Sequence, residues 1–292
     1  MLAISNSRDA NPADGPQSRC KTTFFPVVTF CWLLAWMPML MPSSNALAGD
    51  NADSAQTQPP DQAQFAKRAE KAFADAKTRF EADTNNAEAA WQFGRACYDW
   101  ADYAATDTRR AEIARLGIAA CRRLVEKDTN SALGHYYLAM DMGQLANAKR
   151  GFEGLRLVSQ MEAEFKIALG LDPKIDFAGP DRNLGLLYHQ TPGWPISLGS
   201  KAKARLHLQQ ALKIAPDYPE NHLNLLEAEL KWGDTDAVFR GLKALDELWP
   251  TARKKLAGDE WASSWFDWDK RRNELEKKAE TSRPAGTVRK KP

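Results

Sequence analysis

The sequence has little excess charge of either sign and few residues of the kinds that build metal or catalytic sites. Its 292 residues include 40 basic and 38 acidic side chains, and this balance argues against nucleic-acid binding, which needs concentrated Lys and Arg. The four histidines, His135, His189, His207 and His222, lack metal-ligand spacing. The motifs H-E-x-x-H, C-x-x-C, G-x-S-x-G and G-x-G-x-x-G are absent. We therefore expect no cofactor, no metal site and no enzymatic activity.

A single long apolar run lies near the N-terminus. Arg19 and Lys21 precede the apolar residues 24–41, and the small-residue site Ala46-Leu47-Ala48 follows. This order is typical of a secretory signal peptide, so we interpret 1–48 as a signal that is cleaved after Ala48. The alternative is an uncleaved anchor, because a run of this length just reaches the ~17–25 residues that span a bilayer.

Repeated turns organise the rest of the chain. Residues 49–64 are polar and without apolar periodicity, which predicts a disordered linker. Beyond them, EADTNNA at 81–87 recurs as EKDTNSA at 126–132. Five helix-ending turns then follow at intervals of 45, 44, 43 and 34 residues, at Thr84, Thr129, Pro173, Pro216 and Pro250. The last interval equals the period of the tetratricopeptide repeat (TPR), in which pairs of antiparallel helices stack.

The repeat predicts an all-α TPR solenoid of about four elongated helix pairs over 65–250, with a leading cap helix. The first two units exceed the period by 11 and 10 residues, which we interpret as longer helices plus a longer turn. C-terminal capping helices are predicted over 251–280, where Trp261, Trp265 and Trp268 recur at helical spacing and are expected to cover the open end of the array. A basic disordered tail is predicted over 281–292.

The third unit carries a more specific resemblance. Leu184-Gly185-Leu186-Leu187-Tyr188 gives L-G-x-x-Y, a Pro-Gly-x-Pro loop follows at 192–195, and A-P-D-Y-x-x-N-H-L lies at 215–223. These motifs resemble the T-component family of tripartite ATP-independent periplasmic (TRAP) transporters. The resemblance covers residues 65–280 and is most specific over 179–230.

The T-component resemblance implies an all-α, periplasmic, non-enzymatic TPR protein. It further implies association with a periplasmic solute-binding protein and an apolar ligand carried in a pore of the fold. Members of the family are often lipoproteins, whereas this signal ends without a lipidation cysteine. The alternative function is a general cell-envelope interaction scaffold unrelated to transport.

The first helix of each pair lines the concave face of a TPR array, where ligands usually bind. Projection of that face gives ten candidate binding residues: Trp91, Arg95, Tyr98, Tyr136, Met140, Arg182, Leu186, His189, Leu223 and Glu227. Aromatic and Met side chains offer apolar contact, and Arg95 and Arg182 can bind carboxylates. We hypothesise a groove for an apolar ligand or peptide with an acidic end. The alternative is that capping helices cover several of these residues.

Two further features concern cysteine and charge. Cys97 and Cys121 occupy positions that face each other across a helix pair, and they are interpreted either as a disulfide or as two small buried side chains.

Residues 252–292 hold 12 basic and 7 acidic side chains. This surplus is interpreted either as a surface for an acidic partner or an anionic membrane, or as a solubilising tail.

Overall fold

The computed structural model describes residues 60–282, so the predicted signal peptide 1–48, most of the predicted linker and most of the basic tail lie outside the described residues. Within 60–282 the regular structure is helical, which confirms the all-α prediction. The helices of this range are α1 (Pro60–Ala82), α2 (Ala87–Ala101), α3 (Asp107–Lys127), α4 (Ala132–Lys149), α5 (Gly151–Leu171), α6 (Ile175–Gln190), α7 (Lys201–Ile214), α8 (Pro219–Lys231), α9 (Thr235–Lys255), a 3-10 turn (Asp259–Trp261) and α10 (Ala262–Thr281). None of them combines the length and the apolar character that a bilayer span requires.

The helices pack as four successive pairs, α2 with α3, α4 with α5, α6 with α7 and α8 with α9. Helix α1 packs on α2 at one end, and α10 packs on α8 and α9 at the other. The surplus length of the first two units lies in α3 and α5, which have 21 residues each against 14 in α7. The longer turn predicted for the second unit is wrong, because Arg150 alone joins α4 to α5.

The turns that precede the first, second and third pairs share one hydrogen bond. The carboxylates of Asp83, Asp128 and Asp172 each accept a hydrogen bond from the backbone N–H two residues later, at 2.9–3.0 Å. The side chains of Asn86 and Ser131 then cap the next helices by accepting from their first-turn N–H groups. The recurring sequence therefore encodes a recurring stop and restart of the helix.

Three predicted boundaries need correction. Helix α1 begins at Pro60, so residues 60–64 are helical and do not belong to a linker. Pro is tolerated at the first position of a helix because the N–H it lacks would have no helical partner there. Pro250 does not end its helix, because α9 continues to Lys255. Buried Trp249 and Ala252 on either side of it hold this segment against the core. The last capping helix reaches Thr281, one residue into the predicted tail.

Aromatic rings close the C-terminal end of the array, as predicted. Trp261, Trp265 and Trp268 are buried together with Trp249 and Tyr218. The centroids of Trp265 and Trp268 lie 4.9 Å apart, and those of Trp249 and Trp265 lie 5.3 Å apart, both edge to face. Such pairs contribute about 0.5–1.5 kcal/mol each beyond their buried area. Trp261 lies in the 3-10 turn that precedes α10, so two of the three indoles belong to the helix itself.

Gly185, the glycine of L-G-x-x-Y, lets α6 and α7 approach closely. A Cβ at this position would lie 2.7 Å from Cγ of buried Leu208 and 3.0 Å from its backbone nitrogen. We expect Gly185→Ala to lower the free energy of unfolding by about 1–3 kcal/mol, because the two backbones would have to separate. Urea unfolding followed by circular dichroism measures the change.

Gly170 in α5 provides the matched control for that substitution, since a Cβ there would meet nothing within 4 Å. Gly170→Ala is expected to leave stability unchanged or to raise it by up to about 1 kcal/mol, the gain in helix propensity. Equal destabilisation by the two alanines would contradict the close approach at Gly185.

Candidate functional site

The concave face is formed by α2, α4, α6 and α8, and most of it is closed to solvent. Of the ten residues predicted there, six are buried: Tyr98, Tyr136, Met140, Arg182, Leu186 and Leu223. The other four are partly exposed: Trp91, Arg95, His189 and Glu227. The middle of the face is therefore packed as core, and its accessible part is smaller than the sequence projection suggested.

A buried ion pair occupies the middle of this face. Nη2 of Arg182 donates to the Asp176 carboxylate at 2.6 Å, and the Tyr136 hydroxyl donates to the same carboxylate at 2.7 Å. Asn183 donates to the Tyr136 oxygen at 3.1 Å. The side chain of Arg182 is 0% exposed and that of Asp176 is 6% exposed. The hypothesis that Arg182 binds the carboxylate of a ligand is thereby corrected, because the Arg182 guanidinium already forms an ion pair with Asp176 of the same chain.

The same arginine holds an unusual backbone turn. Asp176, Phe177 and Ala178 have φ values of 47°, 54° and 64°, in the left-handed region that costs L-residues about 1–2 kcal/mol each. Nη1 of Arg182 donates to the carbonyl oxygens of Asp176 and Phe177 at 2.9 and 3.0 Å. Asn221 of α8 donates to the Phe177 carbonyl at 3.0 Å. Hydrogen bonds to a charged group contribute about 1.5–3 kcal/mol each, which is enough to offset this strain.

Burial governs the electrostatics of the pair. Burial raises the pKa of the Asp176 carboxyl, and Arg182, the Tyr136 hydroxyl and Arg95 oppose that rise. Burial also disfavours the charge on Arg182, yet the neighbouring Asp176 keeps the pKa of the guanidinium well above its ordinary value. The influence of Arg95 on Asp176 places this arginine of α2 within electrostatic range of the network.

A second cluster joins the capping helix α10 to the fourth pair. Arg271 donates to both carboxylate oxygens of Glu227 at 2.9 and 2.8 Å and to Asn224 at 2.5 Å. Its Nη1 lies 3.4 Å from a carboxylate oxygen of buried Glu220. Burial opposes the charge of Arg271, but Glu227 and Glu220 raise the pKa of its guanidinium. Glu227, a predicted binding residue, therefore forms an ion pair with Arg271 of the same chain.

One partly accessible part of the face lies on α2. Trp91 is half-buried and stacks on Tyr137 with centroids 5.9 Å apart. The side chain of Arg95 is 18% exposed and lies 3.9 Å from Asp99, which is 27% exposed. An aromatic surface beside a charged pair can contact a segment that has both apolar and acidic character.

His189 lies at the far end of α6 and is neutral. Its ring packs edge to face against Trp232 with centroids 5.2 Å apart. Burial and the charge of Lys231 lower the pKa of this imidazole to about 4. It therefore contributes an uncharged, half-buried ring to its surroundings at neutral pH.

The two cysteines are free and buried, so the disulfide interpretation is corrected. The Sγ of Cys121 lies against the backbone of α2, in space that Gly94 leaves open. Burial, followed by the nearby Asp141, raises the pKa of both thiols well above the ordinary value. Such thiols remain protonated and are poor nucleophiles.

Asp141 is a buried carboxylate that the sequence reasoning missed. It is 0% exposed, and neither of its oxygens has a hydrogen-bond partner within the described chain. Its carboxylate packs against Gly117, where a Cβ would clash with it. Burial, followed by the negative charge of Asp99, raises the pKa of Asp141 well above its ordinary value. No group of three or more His, Cys, Asp or Glu within 60–282 is arranged to hold a metal ion.

Removal of Arg182 is expected to destabilise the fold strongly. Arg182→Met leaves Asp176 buried without its cation and frees the left-handed turn, so we expect a loss of about 3–5 kcal/mol in the free energy of unfolding. The double variant Asp176→Asn/Arg182→Met should recover part of this loss. Urea unfolding of the wild type, both single variants and the double variant measures the coupling.

The exposed pair Lys255–Asp217, 3.1 Å apart with side chains 61% and 65% exposed, is the matched control. Lys255→Met should cost less than about 1 kcal/mol, because exposed ion pairs contribute little. A similar loss for Lys255→Met and Arg182→Met would contradict the central position of the buried pair.

Asp141 makes stability depend on pH. A carboxyl with a raised pKa in the folded state binds more protons than the unfolded chain at intermediate pH, so its contribution is complete below the unfolded pKa of about 3.9 and is lost as pH rises. Asp141→Asn should therefore flatten the decline in unfolding free energy as the pH rises above the unfolded pKa. The exposed Asp75→Asn serves as control, and an unchanged pH profile for Asp141→Asn would refute the assignment.

Comparisons with known proteins agree with the helical repeat. A family model described as "Regulator of microtubule dynamics protein 1-3" matches residues 55–178, which is less than half of the chain. Comparison with curated proteins gives no match. Among solved structures, a thermophilic TPR protein of Thermus thermophilus is similar with a TM-score of 0.51 and 19% identity, over 74% of this chain and 94% of that chain. The chain therefore has a TPR-like helical repeat fold.

Proposed function

We propose that the chain is a periplasmic TPR protein that binds a partner protein, with a solute-binding protein of a TRAP-type transporter as that partner. The TPR-like fold supports partner binding in general, because its stacked helices present long surfaces that typically bind other proteins and do not catalyse reactions. The motifs over 179–230 that resemble T-components supply the specific partner class. The match to the regulator of microtubule dynamics model ends at residue 178 and so bears on α1 to α5.

The observation that carries the proposal is the contrast along the concave face. Its middle is closed by Arg182 with Asp176, and at its C-terminal end the partly exposed Glu227 is paired with Arg271. On α2, the first helix of the first pair, Trp91 and Arg95 remain partly exposed to solvent. A peptide segment with an apolar and an acidic residue fits this end of the face.

The bound apolar ligand implied by the resemblance would need the concave face to open. Tyr136, Met140, Leu186 and Leu223 are at most 4% exposed and belong to the packed interior. We therefore assign partner binding to the accessible α2 end and treat an apolar ligand as secondary to it.

Site-specific photo-crosslinking tests the proposed surface. Benzoylphenylalanine replaces Gln92, next to the Trp91 and Arg95 face, or Leu116, an exposed residue of α3. We expect ultraviolet light in intact cells to join position 92, and not position 116, to a solute-binding protein identified by mass spectrometry. Arg95→Ala should lower that yield several-fold, while Arg115→Ala on exposed α3 should not.

The outcomes separate the candidate functions. An envelope assembly factor crosslinked at position 92 would favour the general scaffold, and equal crosslinking at 92 and 116 would refute the α2 surface.

The intact mass of the protein from the periplasmic fraction should correspond to a chain that begins at Gly49. A mass that retains residues 1–48 would favour the uncleaved anchor.

A further inference from the structure

The most exposed large apolar side chains are concentrated in one region. Trp194 is 90% exposed, Phe152 85%, Ile196 64% and Leu206 63%. No other large apolar side chain of the described residues exceeds 42%. Exposed apolar side chains that cluster in this way mark a surface that contacts something other than water.

These residues share one edge of the array. Phe152 follows the turn between α4 and α5, and Trp194 and Ile196 lie in the loop between α6 and α7. Because successive helix pairs stack in the same orientation, the turns within the pairs fall on one edge. Ion pairs between Arg150 and Asp107 at 3.0 Å and between Arg205 and Asp234 at 3.3 Å connect neighbouring turns along it. We call residues 149–156 and 191–206 the turn edge.

The α6–α7 loop holds its apolar side chains in a defined backbone conformation. The N–H of Gly199 donates to the carbonyl of Pro192 at 2.9 Å, and that of Ser200 donates to Tyr188 at 2.9 Å. At the tip, the N–H of Ile196 donates to the carbonyl of Gly193 at 3.0 Å. A Cβ at Gly199 would overlap the backbone of Thr191, so the loop closes only with glycine there. Trp194 and Ile196 are thus presented to solvent by an internally bonded loop.

The turn edge is also basic. Residues 149–156 contain three basic side chains and one acidic side chain, and 191–206 contain three basic side chains and no acidic one. The edge therefore has a charge of +5, against +2 for the whole chain. Lys201 and Lys203 follow the loop at the start of α7. The Nζ of Lys201 lies 5.6 Å from the centroid of the Trp232 ring, and the Nζ of Lys203 lies 5.0 Å from that of Tyr188.

We propose that the turn edge docks the protein on an anionic lipid bilayer. Trp194, Phe152 and Ile196 enter the interfacial region, where aromatic rings are favoured, while Lys201 and Lys203 contact lipid headgroups. A bilayer fits this surface because the apolar side chains protrude from turns and because the surrounding charge is positive on balance, even though Lys149, Arg150 and Arg205 pair with Glu153, Asp107 and Asp234. The proposal is independent of the α2 surface and of the predicted signal peptide.

A fluorescent probe at the turn edge tests the docking. The full chain carries Cys20→Ser and Cys31→Ser, and an NBD label is attached through Ile196→Cys or, on the opposite edge, through exposed Ala257→Cys. Cys97 and Cys121 are buried, so they are protected from labelling. Vesicles contain phosphatidylcholine alone or phosphatidylcholine with phosphatidylglycerol, with and without doxyl-labelled quencher lipid.

We expect the emission at position 196 to rise about threefold with anionic vesicles, to be quenched by doxyl lipid and to fall at high salt. The probe at 257 should not respond, even if the N-terminal segment holds the chain on the vesicle. Trp194→Ser with Phe152→Ser should reduce the response at 196 about tenfold, since two interfacial anchors are lost. Leu116→Ser with Ile167→Ser, which alters exposed apolar residues elsewhere, should preserve it.

Three results would overturn the proposal. They are equal responses at 196 and 257, a response at 196 that survives the loss of Trp194 and Phe152, and no response at all. A rise in emission with protein concentration in the absence of vesicles would identify a second copy of the chain as the occupant. Because Trp194 and Phe152 are almost fully exposed, their replacement should leave the unfolding transition unchanged, and this measurement confirms that the variants are folded.

Discussion

Three helix pairs depend on the buried contact between Arg182 and Asp176. The guanidinium bonds to the Asp176 side chain and to two carbonyls of the left-handed turn, and Tyr136 and Asn221 bring α4 and α8 to the same place. Neighbouring repeats usually meet through apolar stripes, which tolerate small rotations because hydrophobic contact has no fixed direction. A charged contact held by several hydrogen bonds fixes direction as well as distance. Polar contacts therefore join α4, α6 and α8 in the middle of the array.

The position of that contact decides which surfaces remain for partners. A TPR array normally offers its concave face, but here the guanidinium, the left-handed turn and the α10 cap fill most of it. Surfaces that remain accessible are the α2 end of that face and the turn edge. Both contain aromatic and basic side chains, Trp91 and Arg95 in the first and Trp194 and Lys201 in the second. Partner binding and membrane docking can thus occur on separate parts of the same molecule.

The sequence was sufficient to predict the helix pairs, because each depends on local chemistry that recurs. The turns at Asp83, Asp128 and Asp172 repeat one hydrogen bond, and Gly185 marks a crossing of two helices. The left-handed turn could not be predicted in this way, since none of its three residues is glycine and it is held by hydrogen bonds from Arg182, one to two helical turns later, and from Asn221 of α8, which is distant in sequence. Burial of several projected residues was the stated alternative, but the partners of the buried Tyr136 and Arg182 could not be predicted, because a helix projection does not locate Asp176 and Asn221. A buried Asp141 gave no signal other than its place among apolar neighbours.

The two edges of the array differ because their turns have different constraints. Turns between pairs must stop one helix and start the next within a few residues, and at Asp83 with Asn86 and Asp128 with Ser131 side-chain hydrogen bonds to the backbone meet this requirement. Turns within pairs vary from the single residue Arg150 to the ten residues 191–200. Turns within pairs vary in length, and they can carry side chains that do not contribute to the stability of the fold. Trp194 and Phe152 lie on such turns and contribute little buried area to the fold, so their exposure has to be explained by something outside the chain.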